Sequence, residues 1–481
     1  MLVESFSGVR GLYKEDLSKE VIRSYASAYA RFLARHRKSP QVVIGMDTRP
    51  SSGAIHSQMK SALLASGIGV IDAGFNTTPA IQHGVRICKA DGGIIISASH
   101  NEPEWNGWKL LSPTGAILPK KDMDQIIRMR RNPLQGSAEA KQGSSVDKSK
   151  ELRDDYITFL LNTIGQDAVD RIRKAGSKLV LDPNGGAATV LLRDLFSKIG
   201  IQPVYKNMDL GVFNRLIEPN ALSLAYLTFY VEDLNADLGA GWDCDGDRVE
   251  IVLPNSSAFT QQHGKIISGQ YILAIIVDDF LSDYKGSRKI VVVNDATSGL
   301  IAEIAEKYGA TIVETEVGET NIVEKMDELG APLGGEGSSS GPIVPPSRCR
   351  DGLLALLLIL KIIAKRKKPL GEILGELPSY TTSRLNIACA ADPVKLRKKL
   401  EGYWKAQEHI QEIRKTGDET GGLKIIRKPT KEGPGWIWYR QSKTEGNVFR
   451  IITDAKSKLY ADKLLAMGEK AFNDCLAEMK K

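Results

Sequence analysis

Short β-branched runs alternate with longer stretches of helical period along this chain, and that alternation constrains the fold more than any other feature. Parallel strands require long crossover connections, which helices supply, so repeated strand–helix–strand patterning points to an α/β architecture. In the first third, QVVIGMD (41–47), a helical 57–66, GVIDAG (69–74) and GGIIISAS (92–99) read as β-α-β-α-β. A polar stretch over 132–149 then breaks the pattern and marks a boundary or linker. A second unit contains KLVLDPNGG (178–186), a helix over 188–198 and DLGAGWD (237–243). A third contains KIVVVND (289–295), a helix over 300–308, TIVETEV (311–317) and an apolar helix near 353–364. After residue 378 the texture changes: two helical stretches flank strands such as GWIWYRQS (435–442) and VFRIITDA (448–455), as in a smaller α+β domain.

Charge alone narrows the function little. Lys plus Arg number 65 against 58 Asp plus Glu, a diffuse excess that suits anionic ligands, from phosphorylated metabolites to nucleic acid. The five cysteines, Cys88, Cys244, Cys349, Cys389 and Cys475, are scattered without a C-x-x-C pair, which favours a reducing compartment. The first residues lack a basic segment followed by an apolar core, and the apolar run 353–364 is interrupted by Lys361. That run falls short of the roughly 20 residues a membrane span needs. The expectation is a cytoplasmic protein with no membrane partner. No G-x-x-x-x-G-K-[ST] or G-x-G-x-x-G segment occurs, so the usual nucleotide loops are absent. His36, His56, His83, His263 and His409 show no metal-ligand spacing and read as ordinary surface or core residues.

Four segments carry chemistry. Ser97-Ala98-Ser99-His100-Asn101 follows a buried strand, the place where open α/β sheets present ligands; a simple polar turn fits the same residues. Asp243-Cys244-Asp245-Gly246-Asp247-Arg248 crowds three carboxylates onto one loop between strands, and their repulsion calls for a hard divalent cation. A calcium EF-hand would need glycine and glutamate where Arg248 and Pro254 stand, so magnesium is the better match, with a solvated acidic turn as the plain alternative. In the Gly- and Ser-rich loop 334–341, Glu336 and the serines are suited to sugar hydroxyls. Gly337 to Gly341 also fits G-x-S-x-G with Ser339 as nucleophile, but the following Pro342-Ile343-Val344-Pro345-Pro346 cannot begin the helix such an elbow requires. A linker is the other reading of this loop. The turn 440–447 gathers Arg440, Ser442, Lys443 and Thr444, donors able to grip a phosphate, although an isolated hairpin turn of this composition means little.

Taken in this order, SASHNEPEWNGWK, DCDGDR, GGEGSSS and RQSKTEG resemble the α-D-phosphohexomutase family, whose members include phosphomannomutase/phosphoglucomutase and phosphoglucosamine mutase. SGVRG (7–11), GMDTRPSS (45–52), EVGETNI (316–322) and CRDG (349–352) support the resemblance, which spans nearly the whole chain. It implies three similar α/β domains with mixed sheets followed by a smaller α+β C-terminal domain, arranged around a central cleft. The expected domains are 1–150, 151–256, 257–372 and 373–481, carrying in turn the phosphoserine, metal, sugar and phosphate loops. By the same resemblance Ser99 is phosphorylated, with His100 and Asn101 completing its loop and Arg10 and Lys109 near the transferring phosphate. Asp243, Asp245 and Asp247 bind Mg2+ together with Ser99, and Arg248 closes the metal loop. Gly318, Glu319, Glu336 and Ser338 serve the sugar; Arg440, Ser442 and Thr444 hold the phosphate not being transferred.

The implied reaction interconverts hexose 1- and 6-phosphates through a bisphosphorylated sugar, with hexose 1,6-bisphosphate as activator. Mannose and glucose lead the expected sugars, with glucosamine and then a pentose phosphate behind them. The expected partners are small sugar phosphates and no nucleic acid, in a monomer or small homo-oligomer. Two departures touch substrate recognition. Ser340 stands where the family loop often carries histidine; Lys443 and Gly446 replace its usual glycine and proline, with one additional residue before Arg450. Competing readings are a phosphatase using Asp243 as an aspartyl nucleophile and a non-catalytic sugar-phosphate binding protein.

Overall fold

The computed structural model describes residues 2–5, 7–132, 142–337, 341–443 and 447–479. The chain packs as two compact units, one of Met1–Ser268 with Ser340–Ile373, the other of Gly269–Ser339 with Leu374–Lys481.

The first unit holds two mixed sheets. In the larger, the strands run in the order Val3–Ser5, Gly8–Leu12, Trp105–Leu111, Gly92–Ile96, Gln41–Met46, Gly69–Phe75 and Ser145–Asp147. Gly92–Ile96, Gln41–Met46 and Gly69–Phe75 are parallel, as their continuous apolar runs require when both faces are covered. Period-2 geometry sends Ile44, Ile94 and Ile96 to one face with Tyr25, Ile55 and Trp108, while Val43 and Ile95 go to the other with Ile81, Val85 and Leu152. Trp105–Leu111 and Gly8–Leu12 extend this sheet antiparallel. Helix Ser52–Ala65 begins ahead of the expected 57–66 because its first turn, Ser52-Gly53, is polar and hides the helical period. The stretch 132–149 ends in the edge strand Ser145–Asp147, paired parallel to Gly69–Phe75.

The second sheet runs Ile266–Ile267, Val249–Val252, Leu238–Trp242, Leu179–Asp182, Val204–Tyr205. Leu238–Trp242 is parallel to Leu179–Asp182 and antiparallel to Val249–Val252, which places the Asp243–Arg248 loop at a tight antiparallel connection. The apolar helix Gly352–Arg366 packs in this unit, against Gln166–Ala175, Ser149–Ile164 and Val249–Val252. Being apolar around most of its circumference, it needs neighbours on several sides.

In the second unit, Ile290–Asn294 lies between the parallel strands Thr311–Thr315 and Leu333–Gly335. A separate antiparallel sheet runs Thr381–Ala388, Val448–Ala455, Gly435–Gln441, Leu423–Arg427, Ile410–Lys415, covered by Pro393–Lys405 and Lys458–Met479. The fold is thus three α/β domains with mixed sheets and a C-terminal domain with an antiparallel sheet. None of the five cysteines forms a disulfide, and among the described residues no helix is long and apolar enough to cross a membrane.

Candidate active site

Asp243, Asp245 and Asp247 follow strand Leu238–Trp242 and are fully buried. One carboxylate oxygen from each lies within 4.8 Å of the others. Gly246 makes the turn with φ +70°, and a side chain there would meet Thr77 at 2.7 Å. Burial, with the charges of Asp245 and Asp247, pushes Asp243 well above the usual carboxylate range. Burial acts the same way on Asp245, but Lys109 Nζ at 2.9 Å and Thr78 Oγ1 at 2.7 Å outweigh it and hold that carboxyl below the usual range. Arg350 donates to Asp247 Oδ2 at 3.1 Å, and the Arg248 amide donates to Asp243 Oδ1 at 3.2 Å. Asp243 Oδ2, Asp245 Oδ1 and Asp247 Oδ1 nevertheless remain buried without a hydrogen-bond partner. Three orphaned carboxyl oxygens at this spacing are the donor set of a hard divalent cation, so the residues fit magnesium.

Three adjacent strands bring the first loop and its cations together. Ser99 follows Gly92–Ile96; Lys109 lies on Trp105–Leu111 opposite Ile95; Arg10 lies on Gly8–Leu12 opposite Gly107. Ser99 is buried and has φ +55°, a left-handed conformation that costs a serine about 1 kcal/mol or more. Its amide donates to Ser97 Oγ at 2.8 Å, and its Oγ lies 3.4 Å from His100 Nδ1. Arg10 donates to Asn101 Oδ1 at 3.1 Å. The fully buried Arg49 holds this loop from beneath, donating to the carbonyls of Ser99 and Asn101 at 2.6 Å each, Glu102 at 2.7 Å and Trp105 at 3.3 Å. Its Nε donates to Asp47 Oδ2 at 3.0 Å.

In the second unit, Glu336 Oε1 accepts from Asn294 Nδ2 at 3.0 Å and from the Gly318 amide at 3.1 Å. Gly318 has φ +134° and precedes helix Glu319–Leu329, where Glu319 is buried. Arg440, at the end of strand Gly435–Gln441, donates to Glu316 Oε1 at 2.8 Å. The Ser442 amide donates to the Val448 carbonyl at 2.7 Å.

The structure therefore brings Arg10 to Asn101, Ser99 to His100, Lys109 to Asp245, Arg248 to Asp243, and Gly318 to Glu336. Ser338 and Thr444 lie outside the described residues, as do Ser339 and Ser340. Sequence reasoning gave no role to Arg49, Thr78, Asn294 or Arg350. Arg49 and Arg350 stand inside segments singled out for their resemblance, GMDTRPSS and CRDG, so a buried arginine in each was the available signal. Thr78 and Asn294 carried none.

Family models for phosphoglucomutase/phosphomannomutase match three stretches: alpha/beta/alpha domain I over residues 4–134, domain II over 154–256 and domain III over 268–380. A phosphoglucomutase/phosphomannomutase of Thermococcus kodakarensis is 33% identical over 479 residues, 98% of each chain. A probable phosphoglucosamine mutase of Pyrococcus abyssi is 31% identical over 479 residues, 98% of this chain and 97% of its own. A phosphoglucomutase/phosphomannomutase family protein of Burkholderia thailandensis has a similar solved structure, with TM-score 0.79 at 23% identity over 99% of this chain and 97% of that one.

Proposed function

The chain belongs to the phosphoglucomutase/phosphomannomutase family, and from that premise we propose that it interconverts hexose 1- and 6-phosphates through a phosphoserine at Ser99 and a bisphosphorylated sugar. It is an isomerase of the phosphohexomutase type. The observation that carries the mechanism is the buried three-aspartate loop, with one unpartnered oxygen on each carboxylate and Lys109 reaching it from the strand beside the Ser99 loop.

Asp243, Asp245 and Asp247 would hold Mg2+ together with the Ser99 phosphoryl group. Magnesium, when bound, withdraws charge from the phosphoryl oxygens and so stabilises the transition state. Ser99 Oγ donates its phosphoryl group to the hydroxyl of a hexose monophosphate and receives the other phosphate back. Arg49 fixes the Ser99 carbonyl and thereby aims Oγ. Lys109 and Arg10 bring positive charge to the transferring group, and His100 Nδ1 stands beside the seryl oxygen. Glu336, oriented by Asn294 and Gly318, would accept from sugar hydroxyls, with Glu319 and Ser338 nearby in sequence. Arg440, Ser442 and Thr444 would hold the phosphate at rest, and Arg248 would close the metal loop. Hexose 1,6-bisphosphate would prime a dephosphorylated enzyme.

The division into domains 1–150, 151–256, 257–372 and 373–481 belongs to the same reading; the three matched domain models support it. Relatives named for glucose, mannose and glucosamine chemistry support mannose and glucose as first substrates and glucosamine as the next to try. The test is interconversion of the 1- and 6-phosphates of these three sugars with magnesium and catalytic bisphosphate, comparing wild type with Ser99→Ala. Magnesium-dependent turnover that the variant loses bears the proposal out. Turnover that survives Ser99→Ala, or an acid- and hydroxylamine-labile acyl phosphate in place of an acid-stable phosphoserine, would sink it.

A further inference from the structure

Two residues before Gly318, a carboxylate occupies the cations of the 440–443 turn. Glu316 Oε1 lies 2.8 Å from an Arg440 terminal nitrogen and 2.5 Å from Lys443 Nζ. The Glu316 and Arg440 side chains are 10% and 7% exposed, and Lys443 is 25% exposed, so the pair of cations converges on a largely enclosed oxygen. Lys443 Nζ is also 3.5 Å from Asp418 Oδ1. Gly417, with φ +67°, lies against the carboxylate end of Glu316, where a side chain would press on it. Arg440 Nε is buried without a hydrogen-bond partner, so the carboxylate leaves part of the guanidinium fork unused.

A planar monoanion offers one oxygen to both cations. A phosphate dianion offers three oxygens and twice the charge, enough to meet the ammonium and both edges of the guanidinium together. We propose that Lys443 is a second phosphate-binding cation of this turn, and that Glu316 is its internal competitor, a carboxylate that stands in for phosphate until a sugar phosphate arrives. This rests on the reading of Arg440 as a phosphate ligand given above. By the resemblance given above, Lys443 stands where the family's loop often carries glycine. The placement also links two functions. The backbone from Glu316 to Gly318 ends in the amide that donates to Glu336 Oε1, so displacement of Glu316 by phosphate reaches the group assigned to sugar hydroxyls across only two residues.

The experiment is steady-state kinetics of the full chain with magnesium on glucose 1-phosphate and mannose 1-phosphate, with Arg440→Ala as the control for the underlying reading. Lys443→Gly should raise KM about five- to tenfold, more than it lowers kcat, and Lys443→Arg should restore it. Glu316→Gln should lower KM by about threefold, and Lys443→Gly should still raise KM in the Glu316→Gln background. An unchanged KM in Lys443→Gly, a KM raised by Glu316→Gln, or loss of the Lys443 effect once Glu316 is neutral would each overturn the proposal, the last because Lys443 would then serve only Glu316. Absence of wild-type turnover, or an Arg440→Ala variant with wild-type KM, would instead remove the reading beneath it and the proposal with it.

Discussion

Replacing Arg49 by lysine keeps the buried charge beside Asp47 but removes the fork that grips the Ser99 loop. The arginine makes four bonds to backbone carbonyls and one to Asp47, all from side-chain nitrogens. A lysine has three N–H groups on one atom and cannot span carbonyls distributed from Ser99 to Trp105, so at least two bonds are lost. Because lysine keeps the charge, each lost bond is taken at about 1 to 1.5 kcal/mol, the net value of an ordinary hydrogen bond, and the loop loses about 2 to 3 kcal/mol of anchoring. Ser99 is held in a left-handed conformation that costs about 1 kcal/mol or more, so the freed loop has a reason to relax away from the geometry that aims Oγ. A shift of 2 to 3 kcal/mol against the competent conformation corresponds to a fall in kcat of about 30- to 150-fold. KM for the sugar phosphate should change little, because the residues assigned to the sugar and the resting phosphate are untouched. The assay is initial-rate kinetics together with the rate at which bisphosphate phosphorylates Ser99, followed by intact mass, on protein whose circular dichroism matches wild type. Methylguanidinium added to Arg49→Ala should recover part of the phosphorylation rate. A folded Arg49→Lys enzyme with kcat and Ser99 phosphorylation within about twofold of wild type would refute the argument that the loop needs its arginine.

Magnesium at about 100 times its dissociation constant should stabilise the fold by about 2.7 kcal/mol, read as a raised Tm that chelator reverses; Asp245→Ala should abolish the shift, since the remaining carboxylates no longer form a set. Lys109→Met removes the cation that holds Asp245 below the usual carboxylate range and should lower kcat by at least about 100-fold, with the metal-dependent Tm shift retained in weakened form as the check that the loop still folds. Asp351 caps helix Gly352–Arg366 through the Leu354 amide and accepts from Tyr156, yet burial pushes it up to about 6. The folded state therefore holds the Asp351 proton to higher pH than the unfolded chain does, and stability from this group is present below about pH 4 and lost as pH rises to about 6, by up to about 3 kcal/mol. Asp351→Asn, whose amide still caps the helix, should flatten that part of the Tm-against-pH curve and leave Tm at pH 7.5 equal or higher.

What could be read from the sequence was what local chemistry decides. The parallel strands of the first sheet were visible because burial on both faces demands unbroken apolar runs such as GGIII, and the metal loop because three aspartates in five residues are too repulsive to be casual. Strand Trp105–Leu111 escaped notice. It begins WNGWK, and its lysine and asparagine are buried for the site, Lys109 on Asp245 and Asn106 donating to Ser51 and Ser52, so the pattern that would announce a strand is overwritten by function. The same conflict explains Asn294, which ends a strand of valines and turns its amide to Glu336. Long-range partners were invisible for a different reason: Arg49 and Arg350 each reach their targets across dozens of residues, and only the folded chain says which buried carboxylate or carbonyl an arginine answers. Arg10 and Lys109 are thus placed by sheet topology, whereas Ser99, Asn101 and Asp245, which they serve, stand on loops. Motif resemblance therefore found the aspartates, Ser99, Arg10 and Lys109 at once, and left Arg49 and Arg350, whose targets lie 50 and 103 residues away in the chain, to the structure.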